Sequence, residues 1–262
     1  MIDPAIVEQY KLAGATHLPA IAADWIEPLR AGIERNMAEP GPYAAENLLP
    51  GEQGRFFDDY CNWERIPEFR AFIFESDIAD IAAELMQSET VQLFHEHVLV
   101  KEGGTGKPTP WHQDSPYYFV AGKQTVSFWI PLDPVAENTL RIVEGSHLWP
   151  KPVQPVKWLK EDNFFPATDA YIPVPDPDLD PQRYPVLEWP MAAGDAVAFD
   201  YNALHGARGN PGPGRRRAFS LRIVGDDARF VTRPGRTSPP FPGHDMSEGD
   251  RLREDWFPIL RG

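Results

Sequence analysis

The chain has 262 residues, 42% hydrophobic and 24% charged, with 29 prolines and 20 glycines spread along its length. That composition suits one folded domain of short strands and long loops, and argues against a helical bundle. A net charge of −14 repels phosphate backbones and anionic lipid, and three consecutive arginines (215–217) are too few for a groove binder, so nucleic acid is excluded and a small-molecule partner is expected.

Residues 1–90 read as a mainly helical preface. Ala22, Ile26, Leu29, Ile33 and Met37 recur at helical spacing, with Pro28 confined to a first turn or a kink. Ser76 or Asp77 is placed to cap a second helix carrying Ile78, Ile81 and Leu85 on one face. From Val91 the period changes to two. Segments 91–101, 124–131, 139–143, 185–199 and 216–224 read as strands, with Gly194-Asp195 as a turn between apolar stretches. Lys151 to Tyr184 is Pro- and Asp-rich and aperiodic, which predicts a long loop acting as a lid; Trp158, Phe164 and Phe165 could form its apolar underside or pack on the barrel wall.

A helical preface, a strand-rich core over 91–225 and an extension over 226–262 predict a single domain, mainly β with flanking helices. The expected architecture is a double-stranded β-helix, or jelly-roll, barrel. No apolar run approaches the roughly 18 residues of a membrane span, and no basic-plus-apolar leader opens the chain, so a cytoplasmic protein without a membrane partner is expected. Nothing in the sequence sets the oligomeric state.

One cysteine, Cys61, excludes an internal disulfide and a cysteine-built zinc site. Seven histidines and 39 acidic residues remain as metal-ligand candidates. In Trp111-His112-Gln113-Asp114 a histidine and a carboxylate are one residue apart, so in extended backbone both reach one ion from one side. A third ligand from a neighbouring strand completes one triangular face and leaves three adjacent positions open, as oxygen-activating iron(II) requires. Chance alone would supply about one such His-x-acid triplet in this composition, so its context decides. The triplet follows a strand and a Gly/Pro-rich turn (103–108), and Gly194-Asp195-Ala196-Val197-Ala198-Phe199 later leads into Leu204-His205-Gly206. Arg216 opens the last strand.

The run from His112-Gln113-Asp114 through Gly145-Ser146-His147 to His205-Gly206 and Arg216 resembles the phytanoyl-CoA dioxygenase family, over roughly residues 91–225. The resemblance implies an iron(II)- and 2-oxoglutarate-dependent dioxygenase that consumes dioxygen, releases succinate and carbon dioxide, and hydroxylates an unactivated C–H of a small molecule. It implies His112, Asp114 and His205 as iron ligands. Arg216 would pair with the far carboxylate of 2-oxoglutarate, a role suited to a planar guanidinium. Gln113 and Trp129 fall where family members line the cosubstrate pocket, and His97 is expected to face the same cavity as a pocket wall. Family members often carry a small hydroxyl residue two positions after the second histidine, whereas this chain has Ala207. Arg215 and Arg217 flank Arg216, and alternation assigns them to the opposite face.

Other readings stay open. His95-x-His97 could supply a cupin-like metal pair on its own strand, without 2-oxoglutarate, and a non-catalytic binding barrel is the further alternative. His147, after a Gly-Ser turn, is expected to be structural. Lys101 could reach a carboxylate or simply be solvated. Trp111, Tyr117 and Tyr118 could frame a substrate or pack in the core. Arg229, Arg233 and Arg236 could recognise an anionic substrate or balance nearby acids.

Overall fold

A computed structural model describes residues 2–160 and 162–262. Four α-helices precede the main run of strands: α1 (Pro4–Ala13), α2 (Ile26–Ala38), α3 (Pro67–Glu75) and α4 (Ile78–Met86). Among them lie strands β1 (Ala15–Leu18), β2 (Ala45–Glu46) and β3 (Phe56–Tyr60). The middle of the chain supplies β4 (Val91–Lys101), β5 (Thr109–His112), β6 (Val120–Ala121), β7 (Thr125–Pro131) and β8 (Leu140–Val143). After a long irregular stretch come β9 (Val186–Leu187), β10 (Ala196–Phe199), β11 (His205–Ala207), β12 (Arg216–Val224), β13 (Arg229–Phe230) and β14 (Ile259–Arg261).

All named strand pairs are antiparallel. The larger sheet has eight strands in the order β1-β10-β7-β12-β4-β3-β2, with β14 also on β4; the smaller runs β5-β11-β8-β9. Trp129, Val197, Phe199 and Ala218 of the larger sheet pack in one buried cluster with Leu140 and Ile142 of the smaller, so the two sheets face each other. The helices cover the other face of the larger sheet. On β12, Phe219, Leu221 and Ile223 point to them, and Phe219 sits 4.8 Å from the ring of Phe69 and 5.7 Å from that of Phe72. Strand alternation therefore turns Arg216, Ala218, Ser220 and Arg222 inward.

A β-bulge in β4 does the same for its histidines. The register places Arg222 opposite His95 but Ile223 opposite Leu93, so Phe94 is the extra residue. Leu93 faces the helices while His95 and His97, of the same parity, face the interior.

The chain departs from a simple reading in three places. The preface is not helical alone: it contributes β1 and β3 to the larger sheet, and the C-terminal extension adds β14, so the sheet reaches beyond residues 91–225. Four or five residues such as Phe56-Phe57-Asp58-Asp59-Tyr60 carry too little alternation to stand out. Segment 185–199 is two short strands in different sheets, because Pro190 cannot donate to a ladder and Gly194 turns the chain at φ +86°. At α4, Ser76 rather than Asp77 makes the cap, its Oγ accepting from the Ile78 N–H at 3.4 Å. No helix among the described residues is long and apolar enough to cross a membrane.

Candidate metal centre and its two cavities

Pairing of β5 with β11 sets His205 directly opposite His112, with ring centroids 4.1 Å apart. β5 ends at His112, and Asp114 has helical backbone at the head of the Ser115–Tyr117 3-10 turn. That turn, not continued strand alternation, brings the carboxylate back to the histidine. The three ligand atoms lie within 4.8 Å of one another, and His112, Asp114 and His205 are each 3% exposed.

Their hydrogen bonds leave the metal-facing atoms free. His112 Nδ1 donates to Pro110 O at 2.8 Å and His205 Nδ1 to Ala203 O at 2.9 Å. A carbonyl only accepts, so each Nδ1 carries the proton and each Nε2 keeps its lone pair. Burial lowers both imidazoles, His112 to about 3 with the help of neighbouring His205, so both rings are neutral and ready to ligate. Asp114 Oδ2 accepts from Ser127 Oγ at 2.8 Å and Arg222 Nε at 3.1 Å, while Oδ1 lies 3.9 Å from both Nε2 atoms. Burial pushes the Asp114 carboxyl up, but Arg222 and then the two histidines outweigh it and hold it below the usual carboxylate range. Arg222 is 4% exposed and also donates to Tyr118 Oη at 3.1 Å and to Ser220 Oγ. Two neutral nitrogens and one carboxylate oxygen on one side fit a divalent cation with open positions.

Two cavities meet at this centre. The outer, about 290 Å³, is bordered by His112 and Asp114, by Tyr43, Tyr60, Tyr117, Tyr118 and Phe164, and by His95, His97 and Asp58. Its Tyr43 and Tyr60 rings stack at 5.1 Å, and His97 Nε2 bonds Asp58 Oδ2 at 2.9 Å. The inner is narrow, about 40 Å³, and lies between His205, Trp129, Leu99, Phe199 and the cations Arg216 and Lys101. Trp158 of the long loop walls both, 5.0 Å from the ring of His112.

Arg216 and Lys101 are opposite one another in the β12–β4 register, and both are buried. Arg216 donates to Asn138 O and, at 3.0 Å, to Arg208 O; Lys101 Nζ donates to Lys107 O at 3.0 Å and Thr109 Oγ1 at 3.1 Å. No carboxylate pairs with either among the described residues. Burial lowers both, Arg216 to about 10, and Arg216 beside it lowers Lys101 further. Two desolvated cations facing one cavity are a site for an anion.

Other expected residues fall as follows. Trp129 lines the inner cavity, but Gln113 borders neither: its Nε2 donates to Asn202 O and its Oε1 accepts from Val153 N at 2.8 Å. Gln113 thereby braces the loop at Val153 against the approach to His205. His97 borders the outer cavity and not the inner, held by Asp58. Arg215 pairs with Glu34 and Glu102, and Arg217 with Asp133, on the helix side of β12. Trp111 points the other way from His112 and stacks under Arg141 at 4.9 Å, whereas Tyr117 and Tyr118 border the outer cavity. Arg229 and Arg233 bond backbone carbonyls; Arg229 also borders a separate cavity with Arg251 and Glu254, whereas Arg236 borders one that shares Tyr43, Tyr60 and Phe164 with the outer cavity. In Gly145-Ser146-His147 the working side chain is Ser146, which donates to Val143 O and accepts from Leu204 N, steadying the approach to His205; His147 bonds Lys11 O. Sequence spacing does not single out Arg222, Ser127, Thr109 or Asp58. A charged residue of the same parity as Arg216 inside an apolar strand was the signal available for Arg222.

The fold and this site define a protein of facing antiparallel sheets that could hold one metal ion on two histidines and an aspartate. The family model described as phytanoyl-CoA dioxygenase (PhyH) matches residues 10–218, and the chain belongs to that family. No curated protein matches the chain. Among solved structures, the non-heme α-ketoglutarate-dependent carbocyclase SnoK from nogalamycin biosynthesis is 24% identical, with a TM-score of 0.74 over 98% of this chain and 96% of that one. The epimerase SnoN, in complex with Fe3+, α-ketoglutarate and nogalamycin RO, is 23% identical with a TM-score of 0.77 over 99% and 100%. EctD from S. alaskensis, with 2-oxoglutarate and 5-hydroxyectoine, is 20% identical with a TM-score of 0.70 over 96% and 86%. At this identity the likeness is one of fold.

Proposed function

We propose that this chain is an iron(II)- and 2-oxoglutarate-dependent oxygenase that hydroxylates an unactivated C–H bond of a small molecule, on a double-stranded β-helix barrel. The observation that carries the reading is the juxtaposition of a two-histidine, one-carboxylate face with buried, acid-free Arg216 in the adjoining inner cavity. That ligand set with open positions is characteristic of non-haem iron(II) oxygenases. The structures similar to this chain include an α-ketoglutarate-dependent carbocyclase, an epimerase in complex with Fe3+ and α-ketoglutarate, and EctD with 2-oxoglutarate, which supports the cofactor reading while leaving the outcome to substrate placement.

In this reading His112, Asp114 and His205 hold the iron, and Arg216 with Lys101 takes the far carboxylate of 2-oxoglutarate. The inner cavity holds one end of an unbranched dicarboxylate, whose other end belongs at the metal. Bound iron(II), with 2-oxoglutarate and dioxygen, supplies the oxidising chemistry, which yields succinate, carbon dioxide and oxidised substrate. The outer cavity receives the substrate. Its aromatic walls supply apolar contact area, the Asp58–His97 pair a polar anchor, and Trp158 and Phe164 a cover that keeps water from the reacting bond. The His95–His97 alternative loses support: His95 Nδ1 bonds Glu96 O, His97 is held by Asp58, and the metal-capable cluster among the described residues is the other triad.

The test is succinate formation by purified protein given iron(II), 2-oxoglutarate and air. Wild type should form succinate slowly without substrate, and His112→Ala, Asp114→Ala and His205→Ala should form none and bind iron(II) far more weakly. Retention of iron by His112→Ala together with its loss in His95→Ala would overturn the assignment.

A further inference from the structure

His95 borders the outer cavity and is 2% exposed. Its Nδ1 lies 3.1 Å from the Glu96 carbonyl oxygen, which only accepts, so Nδ1 carries the proton and Nε2 keeps a lone pair. Nε2, at the far end of the ring from the strand, is buried without a hydrogen-bond partner. Burial, with Arg222 alongside, holds this imidazole well below its usual range, so it is neutral. Asp58, on the same cavity, is 6% exposed. It accepts from Asn47 Nδ2 and from His97 Nε2, and no lysine or arginine pairs with it among the described residues. A carboxylate has about four lone-pair sites, so about two remain open.

The donors of the cavity are committed elsewhere. Arg222 serves Asp114, Tyr118 and Ser220, Tyr117 Oη donates to Val156 O at 2.7 Å, and Tyr60 Oη and Ser238 Oγ bond each other at 3.0 Å. The spare capacity at His95 and Asp58 is therefore for accepting. Carbonyl, carboxylate and phosphate oxygens would meet it lone pair to lone pair. An ammonium would meet Arg222, which stands opposite His95 in the β12–β4 register. Hydroxyls fit both constraints. We propose that the outer cavity takes a small, neutral, hydroxyl-bearing ring, one hydroxyl donating to His95 Nε2 and a second to Asp58. This names the substrate class of the oxygenase reading above and rests on it. The cavity, about 290 Å³, is at the small end of ligand sites, and the stacked Tyr43 and Tyr60 offer flat apolar surface to the C–H face of such a ring.

Ligand-observed NMR on protein loaded with zinc(II) in place of iron, with 2-oxoglutarate present, tests this on one ring bearing different groups. The probes are cis-1,2- and cis-1,3-cyclohexanediol, their dimethyl ethers, cyclohexylamine and cyclohexanecarboxylate. At least one diol should bind about tenfold more tightly than its ether, which keeps the oxygens and loses both donors, and more tightly than the amine or the carboxylate. His95→Phe keeps a ring but removes the acceptor, and should weaken that diol about threefold to tenfold while leaving its ether unchanged; His95→Gln, which restores an acceptor oxygen, should recover most of the loss. The wild-type ranking stands as a test even if a variant fails to fold. Equal binding of diols and ethers, tightest binding by the amine or the carboxylate, or binding by no probe overturns the proposal. A protein that ranks the probes as expected but forms no succinate from 2-oxoglutarate with iron(II) and air would instead overturn the oxygenase reading, so the two failures are distinct.

Discussion

Arg222→Leu in the metal-free protein removes the one full positive charge bonded to Asp114. The buried carboxylate then keeps Ser127 as its hydrogen-bond donor and has no cation beside it. Breaking a buried pair from one side costs about 3–5 kcal/mol. A ceiling follows from protonation: a carboxyl of ordinary pKa can be neutralised for about 4 kcal/mol at pH 7 and about 1.5 kcal/mol at pH 5. The charge part of the loss should therefore shrink by about 2.5 kcal/mol over those two pH units. In the variant the folded state holds a proton that the unfolded state releases, so the penalty grows as pH rises. Lost bonds to Tyr118 and Ser220 add a part that does not vary with pH. Urea unfolding in the presence of a chelator, at pH 5 and pH 7, reads both parts, and Asp114→Asn combined with Arg222→Leu should recover the pH-dependent one. A loss of equal size at both pH values, undiminished by Asp114→Asn, would mean that Arg222 acts by packing alone and that the charge argument is wrong.

Arg216→Leu should raise the 2-oxoglutarate dissociation constant by about two to four decades while leaving iron(II) affinity intact, and Arg215→Leu should do neither; equal losses at both would refute the assigned strand face. Burial, opposed by backbone donors at Asn62, pushes the Glu96 carboxyl up to about 8. Between its ordinary value and that one the folded state holds a proton the unfolded state lacks, so stability should fall with rising pH by up to about 1.4 kcal/mol per unit and level off above pH 8. Glu96→Gln should flatten that slope in urea titrations. The long loop is tied down by Arg141, which donates to both carboxylate oxygens of Asp178 at 2.9 and 2.6 Å. Because Asp178 is exposed, Asp178→Ala should change global stability by less than about 1 kcal/mol yet speed proteolysis within 151–184; unchanged cleavage would show that the loop is held by its packing alone.

The metal triad was legible because it depends on local spacing and on chain order. His112 and Asp114 are two residues apart, and His205 and Arg216 follow in order. What surrounds the triad depends on register between strands far apart in sequence. Arg222 meets Asp114 across 108 positions and Asp58 meets His97 across 39, and no local periodicity encodes either. Gln113 shows how a turn redirects a side chain within the motif. Its neighbours in sequence face the site, but the chain turns between His112 and Asp114 and sends the amide to Asn202 and Val153. The bulge at Phe94 likewise breaks the alternation that a period-two reading of 91–101 assumes, and only pairing with β12 reveals it.

The two imidazole–carbonyl bonds at Pro110 and Ala203 bear on how the centre acquires its ion. Metal capture usually competes with protons, and each proton displaced makes affinity climb with pH. Here the Nδ1 hydrogens are already committed, the Nε2 positions are bare, and the carboxylate is already ionised, so loading displaces nothing. Affinity for the ion should be nearly level across the neutral range. The selectivity that a protonation step cannot supply is left to the shape of the open face and to the ions the surroundings offer.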